Sequence, residues 1–336
     1  MFTGIKYKII KRRLLKREAK IAPLEEIEQK HKDPSQKLFN DSSYFNGISD
    51  DGSYFLVRQS FRTTRGNEYW LEVFFPDVGL LRLKQHPGEE GAGFQLGELR
   101  FDTVQLGSEW KVSFKGEMDL NGTSKKVKID LHFSAETPIV DFQNAMIVDA
   151  TAKAIAKAKW SKSFFEKLKD SKKQHFEQGG RLKGIIEIDG NSRQVDFSSM
   201  RDHSWGIRKW SGWKRHIWIC GMMENKQAFN VSMVQYDYMG QLSAGFITEG
   251  NQIHYLRVFP AIEDFASNPI FPDKLDLKFK YSNGKEYHLI CHRKAFVPYN
   301  MDDEYHINEG ISFGTVNGIP VKLVTEFGFN PSHYDI

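Results

Sequence analysis

The chain has 336 residues, of which 40% are hydrophobic and 13% aromatic, and its formal net charge is only +4. This length predicts two domains, and the weak charge argues against nucleic acid and against acidic substrates as partners. The two cysteines, Cys220 and Cys291, exclude a disulfide scaffold and favour a reduced, cytoplasmic setting. Every apolar run is shorter than the roughly 18 residues that a membrane-spanning helix needs.

The first 45 residues form a basic segment that differs from the rest of the chain. Eight lysines and arginines in the first 20 residues surround apolar residues at a spacing that predicts an amphipathic helix. Two interpretations are open. The helix is a solvated arm docked on the body of the protein, or residues 1–35 make a peripheral contact with an anionic membrane.

From about residue 53 the chain has the pattern of a β-rich domain. Tyr54–Val57 and Glu68–Phe75 are rich in aromatic and β-branched residues, which favour strands. Between residues 126 and 133, polar and hydrophobic side chains alternate, so one face of that strand is expected to be buried. Asn121-Gly122 precedes the alternating run and predicts a tight hairpin turn.

A basic helix is predicted over residues 150–177, which are rich in alanine and lysine. Trp160, Phe164 and Leu168 recur at a spacing of four and mark one packing face. We expect this face to pack against a barrel. Gly179-Gly180 is expected to end the helix and to mark the domain boundary.

The later part of the chain repeats the strand pattern. Residues 274–281 alternate in hydropathy, Asn283-Gly284 follows, and residues 287–292 alternate again. Asp189-Gly190 and Asn317-Gly318 are further turn signals. Many short strands separated by regular turns predict antiparallel barrels or sandwiches.

The stretch 201–210 concentrates ionisable and aromatic side chains. Together with the eight residues that follow, it contains four of the seven tryptophans of the chain. On a strand, Arg201, His203 and Trp205 face one way and Asp202 faces the other.

His203 and Trp205 have two interpretations. In the functional one, His203 transfers a proton while Trp205 stacks on a ligand. In the structural one, Trp205 plugs one end of a barrel beneath Arg201 or Arg208, and His203 has its hydrogen bonds satisfied by the protein.

A second candidate lies where the strand predicted over residues 227–235 ends. Tyr236 can supply a proton donor and Asp237 an orienting carboxylate. The alternative is a turn that Asp237 stabilises. The sequence contains no metal-ligand motif, no nucleophile elbow and no phosphate-binding glycine loop, so we expect no metal and no cofactor.

The motif Arg201-Asp-His-Ser-Trp-Gly206 and the run Gly184–Gly190 upstream resemble a family of tandem lipocalin-like proteins. This family includes bacterial AttH-like proteins and the carotenoid 1,2-hydratases, also called hydroxyneurosporene synthases. The resemblance is specific over about residues 177–240. It implies two calycin-type barrels and a terpenoid or polyketide-like ligand, which some members hydrate or cyclise.

In the hydratases, a His and a Trp of this motif and a downstream Tyr and Asp are implicated in acid catalysis. The family spacing puts the acid two residues after the Tyr, where this chain has Tyr238, and Asp237 is adjacent instead. The resemblance and the residue patterns together give candidate catalytic residues His203, Trp205, Tyr236 and Asp237, and candidate ligand-binding residues Arg201, Trp210, Trp218 and Tyr238.

We therefore expect a mainly β protein with two lipocalin-like antiparallel β-barrels, a connecting helix and an N-terminal helical arm. The expected boundaries are 1–45 for the arm, 46–178 for the first barrel with the connecting helix, and 179–336 for the second barrel. The expected function is binding of an apolar, isoprenoid or lipid-like molecule in a barrel cavity, with cofactor-free hydration, isomerisation or cyclisation. The alternative is a non-catalytic lipid carrier or interaction module with a structural Trp cluster.

Overall fold

The computed structural model describes residues 2–16, 21–170, 173–260 and 272–334. The fold is mainly β, with 61% of residues in strands and 14% in helices, and its two antiparallel sheets each form a ring of eight strands. The expected fold class is confirmed. The chain divides into a first barrel unit, residues 22–139 and 173–208, and a second barrel unit, the described parts of 1–21, 140–172 and 209–336.

Short helices accompany the strands. They are α1 (Phe2–Leu15), α2 (Leu24–Ile27), α3 (Phe142–Ala145), α4 (Val148–Lys157) and α5 (Lys162–Asp170), with 3-10 turns at Trp210–Gly212 and Pro331–His333. Among the described residues, no helix has the length and the apolar character that crossing a bilayer requires.

The helix predicted over residues 150–177 is two helices, and this expectation was wrong in its extent. The backbone becomes extended at Ala158, after α4, and the Ser161 hydroxyl accepts a hydrogen bond from the Phe164 N–H at 3.0 Å, which caps α5. Gly179-Gly180 does not end a helix. It lies within a long strand, where a Cβ on Gly180 would stand 2.3 Å from the Ser134 carbonyl oxygen.

The described strands before residue 208 include the runs predicted at Tyr54–Val57, Glu68–Phe75 and 126–133. They are β1 (Phe39–Ile48), β2 (Tyr54–Arg62), β3 (Glu68–Phe75), β4 (Gly79–Pro87), β5 (Phe94–Leu96), β6 (Leu99–Gln105), β7 (Glu109–Leu120), β8 (Thr123–Ala135), β9 (Val140–Asp141), β10 (Gln174–Ile188) and β11 (Asn191–Ile207). Asn121-Gly122 and Asp189-Gly190 both have positive φ at each residue, as a two-residue hairpin turn requires.

The ring of the first barrel unit runs β4-β3-β2-β1-β11-β10-β8-β7 and closes through pairing of β4 with β7. The hairpin β10–β11 supplies two adjacent strands of this barrel, since β11 pairs with β1 and β10 pairs with β8. The structure therefore differs from the expected boundaries at both ends. Residues 22–45 belong to the first barrel unit rather than to an arm, and residues 179–208 complete this barrel rather than beginning the second.

The interior of the first barrel is packed with large side chains. Among those less than 2% exposed are Phe55, Trp110, Phe133 and Phe197, which belong to one hydrophobic cluster. Inward residues along β11 begin with Phe197 and continue through alternate positions to Trp205. These packed side chains hold the strands of the barrel in place. The strands in turn position the polar groups at one end of β11.

The second barrel is a closed eight-stranded ring. Its strands are β12 (Trp213–Met223), β13 (Ala228–Tyr236), β14 (Gly240–Glu249), β15 (Gln252–Val258), β16 (Lys274–Tyr281), β17 (Glu286–Met301), β18 (Tyr305–Val316) and β19 (Ile319–Phe329). Cys220 and Cys291 are buried free thiols in this unit, and burial raises the pKa of the Cys291 thiol to about 12.

The N-terminal helix α1 packs on α4 within the second barrel unit. Ile10 is buried against Ile155 in a cluster that also holds Tyr7 and Leu14. Lys11 Nζ lies 2.8 Å from a carboxylate oxygen of Asp149. The predicted helix is present and docked. Two of the basic residues of its pattern, at positions 17 and 20, lie outside the described residues.

Gly221 on β12 gives a test of barrel packing. A Cβ there would stand 2.4 Å from the Lys322 carbonyl oxygen, so G221A should lower the free energy of unfolding by about 1–3 kcal/mol. At Gly212 an added Cβ has no neighbouring atom within 4 Å, so G212A should change the free energy of unfolding by less than about 0.5 kcal/mol. Urea denaturation of both variants checks this, and equal stability would contradict the described strand pairing.

Candidate functional site in the first barrel

Three inward side chains of β11 meet one short segment that precedes β1. This capping segment, residues 22–37, includes α2 and approaches Arg201, His203 and Trp205 in turn. The register of β1 against β11 pairs Asp41 with Trp205 and Ser43 with His203, which brings Asp41 diagonally beside His203. The site is therefore built from two paired strands and the segment that leads into them.

Arg201 is held in a buried ion pair. Its Nη2 lies 2.6 Å from Glu28 Oε1, and its Nε donates to Gln178 Oε1 at 2.8 Å. Gln178 in turn donates to the carbonyl oxygens of Gly107 and Thr137, each at 2.9 Å. Since the Arg201 and Glu28 side chains are 6% and 0% exposed, neither charge is solvated by bulk water. Arg201 is thus a fixed part of the barrel wall.

His203 has an acceptor at each ring nitrogen. Its Nδ1 lies 2.6 Å from the Ile27 carbonyl oxygen and its Nε2 lies 2.8 Å from Asp41 Oδ1. Burial disfavours the charged ring, but the Asp41 carboxylate and the Ile27 carbonyl outweigh burial and raise the pKa of His203. Two acceptors favour the imidazolium, because both of its nitrogens donate.

Trp205 lies between two rings. The His31 ring stacks on it with centroids 3.8 Å apart and planes 14° apart, and the Phe176 ring stacks at 5.4 Å. Trp205 is 9% exposed. Trp205 is therefore enclosed by protein rings, and both ring nitrogens of His203 have partners within the protein.

His31 connects the buried motif to the surface. Its backbone N–H donates to Asp41 Oδ2 at 2.5 Å, so one carboxylate joins His31 and His203. Burial lowers the pKa of the His31 ring, an effect that Asp41 opposes and the nearby His203 reinforces. His31 Nε2 lies 2.9 Å from the Glu26 carbonyl oxygen, so the neutral ring carries its proton there and its lone pair on Nδ1.

A cleft of about 180 Å³ opens beside His31. Its lining combines apolar rings with a polar rim: His31, Lys32, Pro34, Phe39, Phe61, Arg62, Thr63, Asn67 and Glu90. The Glu90 carboxylate forms ion pairs with Lys30 Nζ at 2.7 Å and with Lys32 Nζ at 2.5 Å. Arg62 Nη2 forms an ion pair with Glu68 Oε2 at 2.7 Å. The rim charges are therefore largely balanced, and the phenyl rings provide the apolar surface. We call this space the His31 cleft.

The other predicted residues lie in the second barrel unit. Tyr236 ends β13 and its ring lies 6.1 Å from that of Trp213, which also contacts Trp210. Asp237 lies in the turn after β13, within 2.9 Å of His333, in agreement with the turn interpretation. Tyr238 donates to the Lys167 carbonyl oxygen at 3.3 Å.

Trp218 is partly buried on β12, where its neighbours Ile217 and Ile219 face the barrel core. The structure thus brings together Arg201, His203 and Trp205 in one unit, and groups Trp210, Tyr236 and Tyr238 among the aromatic residues of the other.

The second unit contains a polar cluster that the sequence did not reveal. The Tyr305 hydroxyl lies 2.7 Å from His216 Nδ1, and His216 Nε2 is bonded to the Glu326 carboxylate. In the tautomer with the proton on Nε2, the Glu326 carboxylate accepts a hydrogen bond from Nε2 and Nδ1 accepts one from the Tyr305 hydroxyl. Both His216 and Tyr305 are buried.

A third histidine cluster lies on the side of β10 and β11 opposite His203. The potential ligand atoms of His175, Glu177 and Asp202 lie within 4.8 Å of one another, a geometry that could hold a metal ion. Burial opposes the charge on His175, but Asp202 and Glu177 overcome it and raise its pKa to about 10. The imidazolium already places a cation between the carboxylates, so we assign the cluster to a partly buried salt bridge.

The chain belongs to the family described as a domain of unknown function, DUF7064, whose model matches residues 24–322. No protein among the curated sequences matches it.

Solved structures share the fold at very low sequence identity. A putative AttH protein from Nitrosomonas europaea superposes with a TM-score of 0.59 at 9% identity, covering 94% of this chain and 98% of that one. Kievitone hydratase from Nectria haematococca superposes with a TM-score of 0.53 at 11% identity, covering 87% of this chain and 88% of that one. CghA with Sch210972 superposes with a TM-score of 0.55 at 9% identity, covering 88% of this chain and 89% of that one. The resemblance of fold to AttH-like proteins is thereby shown.

The raised pKa of His203 gives a pH signature. A base whose pKa is raised on folding stabilises the fold below its unfolded value, near 6.5, and this stabilisation is lost as the pH rises through the folded pKa. The stability gap between the wild type and H203Q should therefore be largest at acidic pH and shrink above about pH 6.5, by about 1.4 kcal/mol per unit of pKa shift. Urea denaturation across this range measures the gap.

The exposed His132 of the same barrel provides the control, and H132Q should change stability by less than about 0.5 kcal/mol throughout. A gap for H203Q that widens with rising pH would show that His203 is neutral in the folded protein.

Proposed function

We propose that this member of the DUF7064 family binds the ring-sized apolar end of a small molecule in the His31 cleft, and that His31 transfers a proton to or from it without a cofactor. The observation that carries the proposal is the position of His31. This residue lines the cleft, and Asp41 joins it to His203 behind it. His31 is thus open to a ligand on one side, and on the other side its backbone is anchored to the buried Asp41 carboxylate.

The size of the cleft limits what it accepts. Pockets for drug-sized ligands are about 300–1,000 Å³, whereas a cavity of about 150 Å³ holds benzene. At about 180 Å³, the His31 cleft fits one ring or a short branched end, with the remainder of the ligand outside. Phe39 and Phe61 supply the apolar contacts.

The protonation states assign the roles. Because burial lowers its pKa, His31 is the neutral base, and its Nδ1 lone pair can take a proton from an acidic O–H or C–H group of the ligand. The Asp41 carboxylate, bonded to the His31 backbone, then offsets the new positive charge. Return of the proton to another atom of the ligand gives isomerisation or cyclisation. Delivery of the proton to a double bond, addition of water to the resulting cation, and return of one proton of that water to the group that His31 deprotonated give hydration.

His203 and Asp41 are positioning residues in this proposal. Both ring nitrogens of His203 face protein acceptors, so we assign the transferred proton to His31 instead. The fold likeness to a protein named kievitone hydratase supports hydration as one of the reactions, at the level of fold.

The alternative is binding without chemistry, as in a carrier. It is favoured by the enclosure of His203 and Trp205, which leaves the motif with a structural role. The two functions differ in whether the ionisation of a bound ligand depends on His31.

A ring-sized probe tests both functions. 4-Nitrophenol changes its visible absorbance on losing a proton, so one titration reports binding and proton transfer. We expect a dissociation constant near about 1 mM, as befits so small a ligand, and a larger ionised fraction in the bound state than in free solution at the same pH. H31Q should abolish the ionisation change and weaken binding only by the amount that the lost preference for the ionised probe requires.

Two equally buried phenylalanines supply the matched control. Phe61 lines the cleft, whereas Phe101 lies in the core of the same barrel. F61L should weaken binding about fivefold through lost ring contact, and F101L should leave it unchanged. Equal affinities for F61L and F101L would exclude the cleft, and a retained ionisation change in H31Q would leave the carrier function.

A further inference from the structure

Helix α1 has two apolar faces, and one of them is uncovered. At 100° per residue, Tyr7, Ile10 and Leu14 fall on one side, where they pack with the cluster on α4 and α5. Ile5 and Ile9 fall on the opposite side and are 54% and 44% exposed. Two uncovered isoleucines in register on a docked helix form a stripe that intramolecular packing does not use.

The orientation of α1 is fixed by polar contacts on its docked side. The Tyr7 hydroxyl is bonded to the Asp149 carboxylate, and Lys11 Nζ donates to it at 2.8 Å. Lys6 Nζ donates to the Ala158 carbonyl oxygen at 3.2 Å. These three contacts hold the opposite side outward, so Ile5 and Ile9 stay presented to the surroundings.

The outward face is basic as well as apolar. Arg12 and Lys16 continue the stripe of Ile5 and Ile9 along the helix, and both are exposed. On this helix the described residues include no Asp or Glu. Asp149, an acid that contacts the docked side of α1, is engaged by Lys11 at 2.8 Å and by Lys153 at 2.7 Å.

The basic and apolar character continues onto α5. Lys6 lies over the Trp160 ring at 4.7 Å, and the Trp160 ring contacts that of Phe165, which is 41% exposed. Lys162 and Lys169 are also exposed on this helix. Exposed apolar side chains therefore occur on both helices, each among lysines or arginines.

We propose that this helical face, centred on Ile5, Ile9, Arg12 and Lys16, docks on an anionic lipid bilayer. Basic residues at an anionic membrane surface contribute attraction, and apolar side chains among them enter the boundary between headgroups and acyl chains. The combination specifies the partner. A polyanion such as nucleic acid would use the charges alone, whereas a bilayer uses the isoleucines as well.

Co-sedimentation with vesicles tests the proposal on the full chain. The vesicles contain phosphatidylcholine and phosphatidylserine at two to one, with pure phosphatidylcholine as the comparison. We expect binding to the mixed vesicles that weakens between about 0.1 M and about 1 M salt, as the Debye length falls from about 10 Å to about 3 Å. R12E/K16E should lower the partition coefficient at least about tenfold, and I5S/I9S about tenfold.

Two control variants change equivalent residues elsewhere. K278E/K280E reverses two exposed charges on β16, and V104S/L106S removes two exposed apolar side chains near the end of β6. Both controls should bind as the wild type does. Equal binding of the wild type to both vesicle types would overturn the proposal. Full binding by I5S/I9S with loss in R12E/K16E would also overturn it, since that pattern describes a surface for polyanions in general.

Discussion

The contact between the capping segment and the inward face of β11 is the constraint on which the candidate site depends. Glu28 meets Arg201, the Ile27 carbonyl meets His203, and the His31 ring meets Trp205. Removing one partner of a buried ion pair costs about 3–5 kcal/mol, because the remaining charge is left uncompensated. The Glu28–Arg201 pair thereby fixes where the segment lies, and this position presents His31 to the cleft.

The same contact sets the electrostatics of the two histidines. They lie 5.9 Å apart between ring centroids, and Asp41 touches both residues, yet the pKa of His203 is raised and that of His31 is lowered. The difference follows from geometry. Asp41 accepts from the ring of His203 but from the backbone of His31, so the His31 ring gains less from the carboxylate than it loses by burial and by proximity to His203.

The strands and turns could be predicted from the sequence, since Glu68–Phe75 and Asn121-Gly122 follow rules that act over a few residues. Strand alternation likewise placed His203 and Trp205 on one face. What the sequence could not show was which distant residues meet that face. A basic run precedes Glu28, His31 and Asp41, and this run led to their assignment to an N-terminal arm. Only the closure of the barrel by β10 and β11 brings these three residues to His203.

The most direct test of this account is nitrogen-15 NMR of the histidine rings of His31 and His203, recorded across pH with and without 4-nitrophenol. His203 is expected to titrate above the range of a free histidine and to be unmoved by the probe. His31 is predicted to titrate below that range, with its proton on Nε2, and to shift when the probe binds. Probe binding that leaves the His31 signals unchanged, or a His31 that titrates above His203, would contradict it.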